Sequence, residues 1–123
     1  MILPELLEDK VYSGFTATAT AHGGQESTLL AMYNTFHHFG GIVVAPGYTN
    51  PIKYVDGNPY GTSHVNDHGA TRVDDVARNA ARFQGQRVVR IATALKTGFS
   101  PHPPGCERPD RSPTQMPEQT HPA

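Results

Sequence analysis

Between Phe15 and Glu26 the chain reads Phe-Thr-Ala-Thr-Ala-Thr-Ala-His-Gly-Gly-Gln-Glu, an alternating segment that runs through two glycines into an amphipathic stretch. A strand that stops, opens a small-residue loop and restarts as a helix leaves backbone N–H groups unpaired and pointing outward. Such a loop suits a flat polar ring or an anion. An ordinary strand-to-helix turn gives the same pattern, so the residues alone leave binding and turn both open. Histidines are the other chemistry-bearing group, with His22, His37, His38, His64 and His68 as a pool of metal ligands. No Cys-x-x-Cys or His-Glu-x-x-His pattern accompanies them, and His64 and His68 fall in a loop, where a spacing of four does not align side chains; no metal site is expected.

The elements that must position that loop are readable in outline. Lys10–Thr18 alternates with β-branched content and reads as a strand. From Gln25 to Phe39, Leu29, Leu30, Met32, Tyr33 and Phe36 recur at helical spacing, with Gly40 as the stop. Gly41–Pro46 is a short apolar run that reads as a parallel strand buried on both faces. Residues 47–69, rich in proline and glycine, read as a long irregular loop. Over residues 73–96, Val73, Val76, Ala80, Gln84, Val88, Ile91 and Leu95 form one stripe, with Asp74 and Asp75 in the first turn; this is the best-supported helix. Arg78, Arg82, Arg87 and Arg90 on it are expected to form a solvated face. The order β-α-β-loop-α is half of a doubly wound α/β sheet, in which ligands sit beyond the carboxyl ends of strands, and both Ala21–Gly24 and Pro46–Gly47 are expected to face one site there.

Composition bounds the rest. The chain has 123 residues and a formal net charge of −1, without a basic run, so neither nucleic acid nor an anionic membrane is an expected partner. Seven of the eleven prolines fall between Pro101 and Pro122. The expected organisation is an N-terminal remnant over residues 1–9, a folded region over 10–97 and a disordered proline-rich tail over 98–123. The single cysteine, Cys106, lies in that tail and is assigned no role. No segment has the pattern of a signal peptide or of a membrane span, so the expected setting is soluble and cytoplasmic.

Four motifs in register carry a family resemblance: residues 15–28, then Phe36-His37-His38-Phe39-Gly40, then Asn58-Pro59-Tyr60-Gly61-Thr62, then Ala81-Arg82-Phe83-Gln84-Gly85. From about Leu7 to Gly98 the chain resembles the C-terminal half of the flavodoxin-like NAD(P)H:quinone oxidoreductases of the tryptophan-repressor-binding-protein (WrbA) family. That resemblance implies a partial flavodoxin-like fold, three-layered with a parallel sheet, that keeps the last two strands and helices of a five-stranded relative. It also implies FMN as cofactor, NAD(P)H as co-substrate, two-electron transfer to quinones, and a homo-oligomer, often a tetramer, or a complementing N-terminal half. Carried over residue by residue, Ala17, Thr18, Ala19, Thr20, Ala21, His22 and Gly23 match the segment that wraps the flavin, and His38 matches the histidine that reaches it. No covalent chemistry is expected of these residues, because the flavin transfers the hydride and the protein orients it. Tyr60, in the second-last turn motif, is expected at a site wall or subunit contact, and Tyr48 and Tyr54 are expected to pack with bonded hydroxyls.

Two departures from the family pattern shape the expectation. The loop usually reads Ser-Thr-Gly-Thr, whereas this chain has Ala17-Thr18-Ala19-Thr20, and alanine tolerates positive φ poorly. The strand and Ser/Thr-rich loop that cradle the FMN phosphate in relatives have no counterpart in these residues, so a truncated form lacking the phosphate-binding half is expected. The alternative is a non-enzymatic remnant that serves as an interaction or oligomerisation module through the strand Lys10–Thr18 and the helix Gln25–Phe39.

Overall fold

The computed structural model describes residues 6–99; most of the expected N-terminal remnant and residues 100–123 of the expected tail lie outside the described residues. The elements are β1 (Val11–Tyr12), β2 (Gly14–Thr18), α1 (Gln25–His38), β3 (Ile42–Val43), α2 (Pro51–Asp56), β4 (Gly61–Val65) and α3 (Asp75–Gly98), with a 3-10 turn at Asp67–Gly69. All pairings are parallel: β1 with β3, Val11 opposite Ile42, and β2 with β4, from Gly14 opposite Gly61 to Thr18 opposite Val65.

The two pairs form one ribbon. In an extended strand alternate residues direct their N–H and C=O groups to the same side. The carbonyls of Lys10 and Tyr12 accept from Ile42 and Val44 at 2.8 Å, and the carbonyl of Thr18 accepts from Asn66 at 2.9 Å. All three acceptors are even-numbered, so β3 and β4 lie end to end along one side of a single strand running from β1 into β2. Residues 44–60 leave the sheet between them.

Helices cover both faces. A Cβ added to Gly14 would lie 2.4 Å from the Met32 side chain and 2.7 Å from that of Leu29, which places α1 on the face of the even-numbered residues. On the opposite face Val11, Ser13 and Phe15 share the walls of an open depression with Ala81, Gln84 and Val88 of α3. Helix, parallel strands and helix give the expected three-layered partial flavodoxin-like arrangement. Leu29, Tyr33, Val44, Ala77 and Ala80 are its buried apolar residues.

Capping explains where the helices start. Asn50 accepts from the Ile52 amide at 3.0 Å ahead of Pro51, and Gly57 closes α2 at φ 83°. Asp74 accepts from the Ala77 amide at 2.7 Å to open α3. Four expectations need correction. Residues 47–69 contain α2 and β4 rather than one irregular loop. The third strand shrinks to Ile42–Val43, because the chain leaves the sheet at Val44. α3 begins at Asp75, leaving Val73 outside its stripe and exposed, and it continues through Gly98, the first residue of the expected disordered tail. Finally, Arg87 is half-buried rather than on the solvated face, and its Nε donates to the Ala45 carbonyl at 3.1 Å.

The ribbon depends on a close approach of two glycines. A Cβ on Gly61 would lie 2.3 Å from the Gly14 carbonyl oxygen and 2.8 Å from a Leu29 methyl. Gly61→Ala is expected to destabilise the protein by about 1–3 kcal/mol, as overpacking against backbone does. Gly85→Ala, in the interior of α3 with nothing within 4 Å of the added Cβ, is expected to stabilise by roughly 0.5–1 kcal/mol. Urea denaturation of the two variants beside the parent measures both signs.

Candidate functional site

The loop from Ala19 to Gly24 leaves the carboxyl end of β2 and enters α1. Its shape is set by Thr18, whose hydroxyl accepts from Gln25 Nε2 at 2.8 Å and donates to the Thr20 carbonyl at 2.8 Å. The Gly23 amide donates to the same Thr20 carbonyl at 3.1 Å. Gly23 packs against Thr18 so closely that a Cβ would meet the threonine Cβ at 2.5 Å, and Gly24 turns the chain into the helix at φ 80°. Ala17, Ala19, Thr20, Ala21, His22 and Gly23 are all exposed. Among the described residues no acceptor takes the amides of Ala21 and His22. The loop is therefore tied down on its inner side and offers amides and the Thr20 hydroxyl on its outer side.

Ala19 has no positive φ, so the glycine-to-alanine departure introduces no backbone strain at that position. The Thr18 hydroxyl, by contrast, is committed within the loop and shapes it.

A second turn meets this loop. Asn66 follows β4 and donates its amide to Thr18, and its carbonyl accepts from the amides of Gly69 and Thr71, all at 2.9 Å. Asp67, His68 and Gly69 then take φ values of 46°, 54° and 90°, three left-handed residues in succession. Sequence reasoning missed this turn. Its signal is the run Asn66-Asp67-His68-Gly69, residue types that adopt left-handed backbone more readily than others.

His38 is not brought to the loop. It ends α1, and a helix from Gln25 to His38 sets its two ends about 20 Å apart. Pro46–Gly47 does not share the loop's end of the sheet either. β3 stops alongside Tyr12, roughly 20 Å along the strand from Thr18, which corrects the expectation that both glycine-rich segments face one site. Among the described residues no three His, Cys, Asp or Glu side chains converge. No helix there is long and apolar enough to cross a membrane.

Two polar side chains hold the sheet beneath the loop. The Gly14 amide donates to the Tyr33 hydroxyl at 3.2 Å, and that hydroxyl donates to the Tyr60 carbonyl, so Tyr33 of α1 bridges a gap in the ladder where the inserted residues rejoin the sheet. Burial raises the Tyr33 hydroxyl above its ordinary value, against smaller opposing effects of the Gly14 and Ser13 hydrogen bonds. From the other face Gln84 donates to Ser13 Oγ and the Gly14 carbonyl and accepts from the Thr62 hydroxyl, each at 2.7 Å.

The inserted residues carry their own anchor. Lys53 is fully buried, and its Nζ pairs with the Asp56 carboxylate and donates to the Gly61 carbonyl at 2.9 Å. Buried Asn58 donates to Ser63 Oγ at 3.2 Å and accepts from the Tyr60 amide at 3.1 Å. Tyr48 stacks on Tyr54 with ring centroids 5.2 Å apart and donates to the Gly57 carbonyl at 3.0 Å. The Tyr60 ring is partly exposed, and only its backbone enters the ladder region.

Over 97 residues the chain is 42% identical to the protein named NAD(P)H dehydrogenase (quinone) of Sinorhizobium fredii (strain NBRC 101917 / NGR234), covering 72% of this chain and 48% of that protein. It is 39% identical over 98 residues to the protein of the same name from Aromatoleum aromaticum (strain DSM 19018 / LMG 30748 / EbN1), covering 75% and 47%. The chain matches the C-terminal half of these quinone dehydrogenases. It thus spans about half the length of the curated relatives it matches. No protein-family model matches it.

Tyr33→Phe leaves the Gly14 amide and the Tyr60 carbonyl without their bridge and is expected to cost about 1–3 kcal/mol. The raised Tyr33 value fixes the sign of a pH effect. The unfolded tyrosine ionises near its ordinary 10.0 while the folded one stays protonated, so the bridge's contribution is complete below that pH and is lost as pH rises through the folded value. The stability difference between parent and Tyr33→Phe should therefore narrow in alkali, as read from urea midpoints at rising pH.

Proposed function

We propose that this chain supplies the ring-side wall of the FMN site in an NAD(P)H:quinone oxidoreductase. Held against this loop, FMN would supply two-electron hydride chemistry between NAD(P)H and a quinone. The observation that supports the reading is the exposed loop at residues 19–23, beyond the carboxyl end of β2, within a region matched to proteins named for that reaction. Its donor set fits a flavin ring: unclaimed amides at Ala21 and His22, the Thr20 hydroxyl, and small side chains at Ala17, Ala19 and Ala21 that permit close approach of a flat edge. The bonds from Gln25 and Asn66 to Thr18 keep these groups in place before a ligand arrives, which lowers the ordering cost of binding.

His38 joins such a site only from a second subunit, because α1 separates it from its own chain's loop. A contact from His38 therefore carries with it a homo-oligomer. The protein carries out this chemistry in the cytoplasm on this reading.

Because the wall described here faces the ring, riboflavin is expected to bind the chain within a few-fold of FMN. Both should quench on titration. Thr20→Val is expected to weaken binding several-fold without loss of fold. Unquenched flavin emission at saturating protein contradicts the proposal, and so does a strong preference for FMN over riboflavin.

A further inference from the structure

The basic residues of α3 outnumber its acids. The helix carries Arg78, Arg82, Arg87, Arg90 and Lys96 against one acidic residue, Asp75, which pairs with Arg78 at 2.7 Å. Arg87 and Arg90, one turn apart, have no counter-charge among the described residues. The acid of neighbouring α2, Asp56, is taken by buried Lys53. A like-charge pair at this spacing is destabilising on its own.

Arg87 is held in place. Its Nε donates to the Ala45 carbonyl at 3.1 Å, which leaves the fork of its two Nη groups without partners among the described residues. With Arg90, Gln86 and half-buried Phe83 it walls a hollow of about 140 Å³, below the roughly 300–1,000 Å³ that enclose a drug-sized ligand. The hollow lies on the β3 side of α3, since Ala81, Gln84 and Val88 turn the other flank toward Val11 and Phe15. It is also remote from the loop at residues 19–23. α3 starts beside Val65, at the loop's end of the sheet, and Arg87 stands twelve residues, roughly 18 Å, further along from Asp75.

We propose that this hollow binds a small organic phosphate, with the phosphoryl group between the Arg87 and Arg90 guanidiniums and the carbon part against the Phe83 ring. The chemistry of the walls selects that class. Two guanidiniums suit a dianion better than a single carboxylate, and the planar Nη fork of Arg87 matches two oxygens of one phosphoryl group. Gln86, exposed at the rim, adds amide donors. The bond to Ala45 orients the Arg87 fork before a ligand arrives, which lowers the ordering cost of binding. Phe83 supplies apolar contact that a bare phosphate ion cannot use. A bound dianion also relieves the repulsion between the two arginines. The site does not depend on flavin binding.

Titration of the full chain with phenyl phosphate, followed through the arginine Nε–H resonances, tests the proposal. Saturable shifts are expected at Arg87 and Arg90, with inorganic phosphate and benzoate each binding several-fold more weakly than phenyl phosphate. Arg90→Gln, at an exposed residue with no bond to lose, should weaken phenyl phosphate about tenfold, the loss of one charge-assisted hydrogen bond. Arg82→Gln removes the same charge from the same helix outside the hollow and should leave the affinity nearly unchanged. Shifts that do not saturate overturn the proposal. So does equal weakening by Arg82→Gln and Arg90→Gln, or inorganic phosphate or benzoate binding as tightly as phenyl phosphate.

Discussion

The structure depends on the contact between the backbones at Gly14 and Gly61. Where most parallel pairs are separated by side chains from the layers above and below, here Leu29 of α1 presses directly on both glycines, and Gly61 has no room for a methyl group beside the Gly14 carbonyl. Removing side chains at this junction also removes the apolar contacts that would hold it. Two polar side chains replace them. The Tyr33 hydroxyl enters from α1 and completes the ladder between Gly14 and Tyr60, while Gln84 enters from α3 and joins Ser13, Gly14 and Thr62. Both helices are thereby pinned to the same point of the sheet, and a buried network of this kind specifies one arrangement only when each member is satisfied.

From that point two consequences run in opposite directions along the strand. Toward its amino end the sheet stays narrow, because β3 pairs for only two residues before residues 44–60 depart to build α2. That excursion is held by the buried Lys53–Asp56 pair and by Asn58, whose bonds return the chain to Gly61 and Ser63. Toward its carboxyl end the ladder is regular to Val65, and the loop after Thr18 rests on it through Gln25 and Asn66. Exposed binding groups on a rigid support are what a ligand site requires.

Much of this was legible in the residues. The strand over residues 10–18 and the helix over 25–39 follow from period alone, and the long helix follows from its stripe and from Asp74 at its start. α2 was hidden because Pro51 and Gly57, which read as loop punctuation, serve as its first residue and its stop. β4 was hidden because Gly61-Thr62-Ser63-His64-Val65 has one apolar residue; its burial comes from Gln84 and Leu29, which are remote in sequence. The same reason applies to Arg87, whose partner at Ala45 is visible only once α3 is packed. In the candidate site the loop was found by its small residues, but the commitment of the Thr18 hydroxyl depends on Gln25, and the left-handed turn at residues 67–69 depends on where β4 ends.

On the proposed function, the outer side of residues 18–23 is a surface for a flavin ring. Amide-resolved nuclear magnetic resonance of the labelled chain titrated with riboflavin tests it most directly. The largest shift changes are expected on Thr20, Ala21, His22 and Gly23, with smaller ones at Asn66 and Asp67 across the shared turn. Shift changes gathered at the Tyr48–Tyr54 pair or along α3, with residues 18–23 unmoved, would contradict it.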